Sequence, residues 1–254
     1  MKQTPGKIFL ADQRGTTATS KSRSYHTFNF GHYYQAHKQP VGNLYLMNEE
    51  MLAGRQSTTL QVEQASHIIV IPLTGAVRVQ VGTETPTPID VEEVQVNTLP
   101  AHSTVHFQNS YEADFIQFLL IGVKADLPVE TVSSQLFRFG FQDLENQLTQ
   151  IIPADQEQNA NLNLPFALSL GKFDGRQEVV YSLQNQKAQF FAFVISGAFE
   201  AEGRLLHEKD GLALWDTTAV ELEALSHNAL ILVLQLAEPV AHPLQQERLG
   251  ANTR

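Results

Sequence analysis

The sequence predicts an all-β protein built as two small antiparallel barrels in tandem, with little helix. Apolar stretches are short, rich in β-branched and aromatic residues, and separated by Gly, Pro, Asp and Asn, the pattern of all-β barrels and sandwiches. An internal repeat is present: Ile68-Ile-Val-Ile-Pro-Leu-Thr-Gly-Ala-Val-Arg-Val is echoed by Phe190-Phe-Ala-Phe-Val-Ile-Ser-Gly-Ala-Phe-Glu-Ala, and repetition at domain scale implies two copies of one unit. The length of 254 residues accommodates two domains of about 100–130 residues each.

Taken in chain order, the Thr/Ser/Lys-rich residues 16–24 read as a loop, and residues 43–47, 67–73 and 76–81 read as strands. An acidic turn at Asp90-Val-Glu-Glu leads through a small-residue loop to a closing strand at 115–123. The second copy follows the same plan, with strands near 190–195 and 229–236 around the turn Glu208-Lys-Asp-Gly. The best helix candidates are residues 142–152 and, more weakly, 243–248. The expected division is a first barrel over 1–125, a linker with a short helix over 126–164, and a second barrel with a tail over 165–254. Closing each sheet into a barrel removes exposed edges and leaves an interior lined by alternate residues, a natural small-ligand or metal pocket.

Composition narrows the function. Hydrophobic residues make up 43% and charged residues 17% of the chain, which suits packed cores rather than disorder. The net charge is −10 and no Lys/Arg cluster occurs, so no direct nucleic-acid surface is expected, since phosphate binding needs grouped cations. There is no cysteine, which excludes disulfides, thiolate nucleophiles and Cys-ligated metals. Apolar runs are far too short to cross a bilayer, and the N-terminus lacks the apolar core of a signal peptide; a cytoplasmic protein without membrane contact is expected. No Gly-x-Ser-x-Gly elbow and no glycine-rich phosphate loop is present.

Tyr25-His-Thr-Phe-Asn-Phe-Gly-His-Tyr-Tyr and Leu44-Tyr-Leu-Met-Asn-Glu-Glu-Met-Leu-Ala-Gly resemble the opening signature of the pirin-like proteins. With the two Gly-Ala strand pairs, the resemblance covers most of the chain. It implies two tandem cupin barrels of the double-stranded β-helix, or jelly-roll, type. It also implies a metal in the N-terminal barrel held by three His and one Glu; some members resemble quercetin dioxygenases and others act as protein-binding regulators.

The sequence departs from that pattern. Gln61 and Glu63 stand where the resemblance implies His and His, and His106 and Gln108 where it implies His and Glu. Residues two apart on a strand share a face, so Gln61, Glu63, His67, His106 and Gln108 are expected to line a polar pocket in the first barrel. Gln is a poor ligand for a divalent transition metal, and a metal is therefore not assigned. The alternative is a rearranged set of Glu63, His67 and His106, a two-His-one-carboxylate arrangement suited to Fe or Mn.

The favoured function is a non-catalytic, pirin-like bicupin that binds a small molecule or a protein partner through this pocket; the rival is a metal-dependent dioxygenase of the quercetinase type. His26, His32 and His37 are read as packing within an aromatic-rich segment, Asn48 and Glu49 as a turn at the barrel mouth, and Trp215 as core or inter-barrel packing. His102, His207 and His227 are placed in loops or turns without chemistry.

Overall fold

The computed structural model describes residues 3–153 and 164–238; the helix expected over 243–248 lies outside the described residues. The first strands are β1 (Gly6–Phe9), β2 (Gly15–Ala18), β3 (Ser22–His26), β4 (Leu44–Leu52) and β5 (Ser57–Val62). There follow β6 (Ser66–Thr74), β7 (Val77–Val81), β8 (Thr87–Ile89), β9 (Glu93–Leu99), β10 (Ser103–Gln108) and β11 (Ile116–Lys124). Next come β12 (Ser133–Arg138), β13 (Leu148–Ile152), β14 (Phe166–Phe173), β15 (Glu178–Ser182) and β16 (Gln189–Ser196). The chain closes with β17 (Phe199–Ala201), β18 (Arg204–Leu206), β19 (Gly211–Leu214), β20 (Ala219–Ala224) and β21 (Ala229–Leu236).

These strands form two cupin-type barrels, each a large sheet facing a small one. In the first, the sheet β12-β9-β6-β11-β4-β3-β2 faces β5-β10-β7-β8. In the second, β1-β19-β16-β21-β14-β13 faces β15-β20-β17-β18. The two large sheets also pack on each other, which explains why their strands are apolar at nearly every position. On β11, Phe118 and Leu120 point into the first barrel, while Leu119, Ile121 and Val123 point to the inter-barrel core. On β16, Phe190, Ala192 and Val194 fill the second barrel, while Phe191, Phe193 and Ile195 meet the first. A strand buried on both faces gains nothing from polar alternation. The small sheets have one face in water, and β5, β7, β10 and β20 alternate accordingly.

The repeat seen in the sequence is the hairpin β6–β7 matched by β16–β17. Gly75 (φ 70°) and Gly197 (φ 79°) make the same left-handed turn in each copy, a conformation that costs glycine little.

The structure corrects several local expectations. Residues 16–24 form most of a hairpin between β2 and β3. The helix expected over 142–152 is a short 3₁₀ turn, Phe141–Leu144, followed by β13, because Leu148–Ile152 finds a strand partner in β14. The stretch 126–164 is thus more than a linker: β12 extends the first large sheet and β13 the second. The first residues do not stay in the first barrel either. β1 pairs with β19 of the second, and the Ala11 amide donates to Asp210 Oδ1 at 2.7 Å before the chain returns through β2. Phe9 anchors this strap, edge-on to Phe28 with ring centroids 5.0 Å apart. Trp215 is not core: it lies just past β19 and is 37% exposed.

Candidate functional site

The five residues expected to line a pocket are not brought together. Val62, Val105 and Phe107 take the inward positions of β5 and β10, so Gln61, His106 and Gln108 stand on the solvent face of the small sheet. A one-residue change of register exchanges the two faces of a strand, and here the apolar residues claim the inside. His106 Nδ1 pairs with Thr59 Oγ1 at 3.0 Å, and Thr104 Oγ1 donates to Gln61 Oε1 at 3.0 Å; both are cross-strand surface contacts.

Glu63 is exposed in the bend after β5, and that bend separates it from His67. β5 and β6 belong to different sheets, so the spacing of four residues does not place both side chains on one face. His67 faces the second barrel instead, buried against Phe166 with ring centroids 5.9 Å apart and 2.9 Å from Thr98 Oγ1. Burial pushes its pKa down to about 4. Among the described residues, no group of three His, Asp or Glu side chains converges as a metal site would require. The four inward positions Leu60, Val62, Val105 and Phe107 are hydrocarbon, which offers a divalent ion no ligand. The ligand set that the resemblance implies is therefore not assembled on β5 and β10.

A different group of polar residues does converge. β3 and β4 pair so that Ser24 lies opposite Glu50 and His26 opposite Asn48, and directly opposed side chains on one face touch. Thr17 on β2 lies opposite Ser24. Ser24 Oγ donates to Glu50 Oε1 at 2.6 Å, and Asn48 Nδ2 donates to the same oxygen at 3.1 Å. His26 Nδ1 lies 3.3 Å from Ser24 Oγ, and His26 Nε2 lies 3.0 Å from Thr17 Oγ1. With the Ser24 hydrogen directed at Glu50, His26 donates from Nδ1 and accepts from Thr17 at Nε2. The ring of His26 also lies 5.0 Å from that of Phe30.

This cluster opens into a cleft at the mouth of the first barrel, with a cavity volume of about 120 Å³. Thr17, Ser24, His26 and Glu50 form its polar side, while Leu60, Phe107 and Leu120 form an apolar floor. Glu50 is only 6% exposed and makes no ion pair among the described residues. Burial pushes its carboxyl pKa up, against the opposing pull of the Ser24 and Asn48 hydrogen bonds. Burial pushes the His26 imidazole down, with Asn48 opposing and the Arg14 charge adding to the fall. Asn48 Oδ1 is buried without a partner.

The next residue on β4 points the other way. Glu49, 3% exposed, accepts from Arg14 at 2.7 Å and lies 3.1 Å from Lys209 Nζ of the second barrel; Gln117 also donates to it. Burial alone would raise its pKa, but Arg14 and Lys209 together hold the carboxyl below the usual carboxylate range. Arg14 in turn lies over the Tyr25 ring.

Asn48 and Glu49 are therefore mid-strand residues, not a turn, and His26 lines the cleft rather than only packing; His32 and His37 are exposed. A signal for the site was present in the sequence. Asn48-Glu49-Glu50 is a polar triplet inside an apolar strand, and Ser24-x-His26 has the two-residue period of a shared face.

Comparison with known proteins agrees with this architecture. Residues 151–236 match the family described as the quercetinase C-terminal cupin domain. Crystal structures of YhhW from Escherichia coli superpose over the whole of that chain: the first with TM-score 0.80, 18% identity and 94% of this chain covered, and the bacterial pirin YhhW in complex with nickel(II) with TM-score 0.78, 18% identity and 93% covered. Quercetin 2,3-dioxygenase from Acinetobacter baumannii superposes with TM-score 0.68 and 13% identity, over 99% of this chain and 97% of that one. No curated protein sequence matches the chain.

Proposed function

We propose that this chain, a pirin-like cupin by its fold and by the family of its second barrel, is a non-catalytic binding protein that takes a small molecule into the cleft of its first barrel. One observation carries the reading: a buried carboxylate, Glu50, held by neutral donors and paired with no cation among the described residues, lines a cleft with one polar and one apolar side that opens to solvent. A few placed polar groups on an apolar wall are the usual make-up of a small-ligand site. Turnover has less support. The positions where the resemblance implies the metal ligands hold Gln61, Glu63, His106 and Gln108, all exposed, and Ser24 directs its hydrogen at a carboxylate, not at the imidazole base that nucleophilic activation requires. The cleft is also smaller than the roughly 300 Å³ that begins to enclose a drug-sized molecule, so a flavonol would not be buried in it. A small solute suits this cavity better than a protein partner.

Two measurements on the full chain test the reading. With quercetin and added iron, manganese or nickel, oxygen uptake is expected to stay at the protein-free rate; metal-dependent uptake that follows a stoichiometric bound ion would overturn the non-catalytic assignment. Amide and side-chain NMR with a mixture of small polar solutes is expected to shift signals from Ser24, His26, Phe30 and Thr59. Shifts confined to residues outside the cleft would place binding elsewhere.

A further inference from the structure

Resting on that reading, the geometry points to a small primary ammonium ion as the class of ligand the cleft takes, bound with its charged end on Glu50 and its carbon chain over Leu60 and Phe107. Three features of the site select a cation that donates hydrogen bonds. First, the unsatisfied capacity is acceptor capacity. Ser24 and Asn48 both donate to Glu50 Oε1, and no hydrogen bond to Oε2 occurs among the described residues. A buried acceptor left unmade is costly, and a ligand that donates relieves that cost.

Second, among the described residues no cation pairs with Glu50. The nearby positive groups, Arg14 and Lys209, are engaged by Glu49 on the opposite face of the same strand. The groups that face Glu50 from the packed elements are Ser24, Asn48 and His26, all neutral while His26 is held low by burial. A carboxylate out of water and without a counter-charge favours an incoming cation. Third, aromatic rings stand at the site: Phe30 and Phe107 line the cleft beside Glu50, and a ring face attracts a cation. The net charge of −10 further favours the approach of cations over anions.

Size limits the ligand. A volume of about 120 Å³ lies well below the roughly 300 Å³ at which drug-sized sites begin, so the ligand places only a few non-hydrogen atoms within the cleft. An n-butylammonium ion is a suitable probe, with 1-butanol as its neutral counterpart and butyrate as its anionic one. Small ligands of this kind bind weakly, and a Kd on the order of 0.1–1 mM is expected.

Titration calorimetry of the full chain at pH 8 is expected to show butylammonium binding, with butanol at least about 10-fold weaker and butyrate silent. Glu50→Gln, which keeps shape and removes charge, is expected to weaken butylammonium at least about 10-fold; its circular dichroism checks that the barrel still forms. The unaltered protein supplies a second readout. Butylammonium affinity is expected to fall as pH drops through the Glu50 ionisation, because the protonated carboxyl no longer attracts a cation. Butanol or butyrate binding as tightly as butylammonium, or butylammonium binding that ignores both pH and Glu50→Gln, would overturn the ligand class while leaving the cleft a small-molecule site. No binding of any of the three probes up to about 10 mM would overturn both readings.

Discussion

Glu49 and Glu50 are neighbours on β4, both nearly inaccessible to water, yet they occupy opposite electrostatic regions. On the inter-barrel face Glu49 is shared by Arg14 and Lys209, and its carboxyl is held low despite burial. On the cleft face Glu50 meets only neutral donors, and burial pushes its carboxyl up. The alternation of a strand supplies two environments from two adjacent identical residues. The difference separates two uses of buried charge: Glu49 joins an element of the second barrel to the first and is satisfied internally, while Glu50 is left for something from outside. In the second barrel Phe173, Phe190, Phe199 and Leu222 fill the interior.

The contrast breaks most visibly at Glu49. Glu49→Ala leaves the Arg14 guanidinium without its carboxylate and the Lys209 ammonium with Glu208 alone among the described residues, in surroundings where Arg14 Nε is already without a partner. Removing one partner of a buried ion cluster costs about 3–5 kcal/mol, and urea denaturation is expected to show a loss of this size. The contribution has a pH signature. The folded pKa is depressed, so the stabilisation is present above the unfolded carboxyl pKa and fades as pH falls through the lower, folded one. A loss under about 1 kcal/mol would mean that the inter-barrel face is held by its apolar core alone.

His67 sharpens the same comparison from the inter-barrel side. Its pKa falls from 6.5 to about 4 on burial, so the folded protein keeps it neutral while the unfolded chain takes up a proton. Stability is therefore whole above pH ~6.5 and declines as pH falls toward ~4, by about 3 kcal/mol in all. Denaturation midpoints across this range are expected to follow that slope, and His67→Gln, which retains a neutral partner for Thr98, is expected to flatten it.

On the cleft side the sign reverses. The raised Glu50 carboxyl penalises the fold as pH rises from its unfolded pKa toward its folded one. Glu50→Gln is expected to leave stability unchanged or raise it by about 1 kcal/mol at neutral pH, since the desolvated charge is gone while the shape and the acceptor for Ser24 remain. Thermal melting at pH 3.5 and pH 8 measures this: the variant's advantage is expected to be larger at the higher pH, where both states of the parent carboxyl are affected by ionisation. A variant less stable at both would show that the charge on Glu50 serves the fold rather than a ligand.

Much of this was legible in the sequence, and the part that was not has an identifiable cause. Short β-rich runs and the repeat around Gly75 and Gly197 specify the barrels, because these features are local and occur twice. The strap is not legible in the same way: Gly6–Phe9 pairs with residues more than 200 positions away, and nothing local marks its partner. The site failed on register. Glu63 to His67 looks regular as a string, but the bend at residues 63–65 moves the chain from one sheet to the other. Spacing that suggests a shared face applies only within one unbroken strand. The polar triplet Asn48-Glu49-Glu50 was visible, but its meaning required knowing that β4 is buried on both sides.

The smallest effects are expected where the sequence pointed most strongly. Gln61 and His106 lie on the outer face of the small sheet, and their hydrogen bonds to Thr104 and Thr59 are solvent-exposed. Exposed substitutions away from caps, cores and strained turns shift stability by no more than about 0.5 kcal/mol. Gln61→Ala and His106→Ala are therefore expected to melt within about 2 °C of the parent protein and to bind butylammonium with unchanged affinity. The double variant is expected to behave the same, since neither residue shares a partner with Glu50. Loss of binding in either variant would return these side chains to the pocket, and with them the inward register of β5 and β10 that Val62, Val105 and Phe107 now occupy.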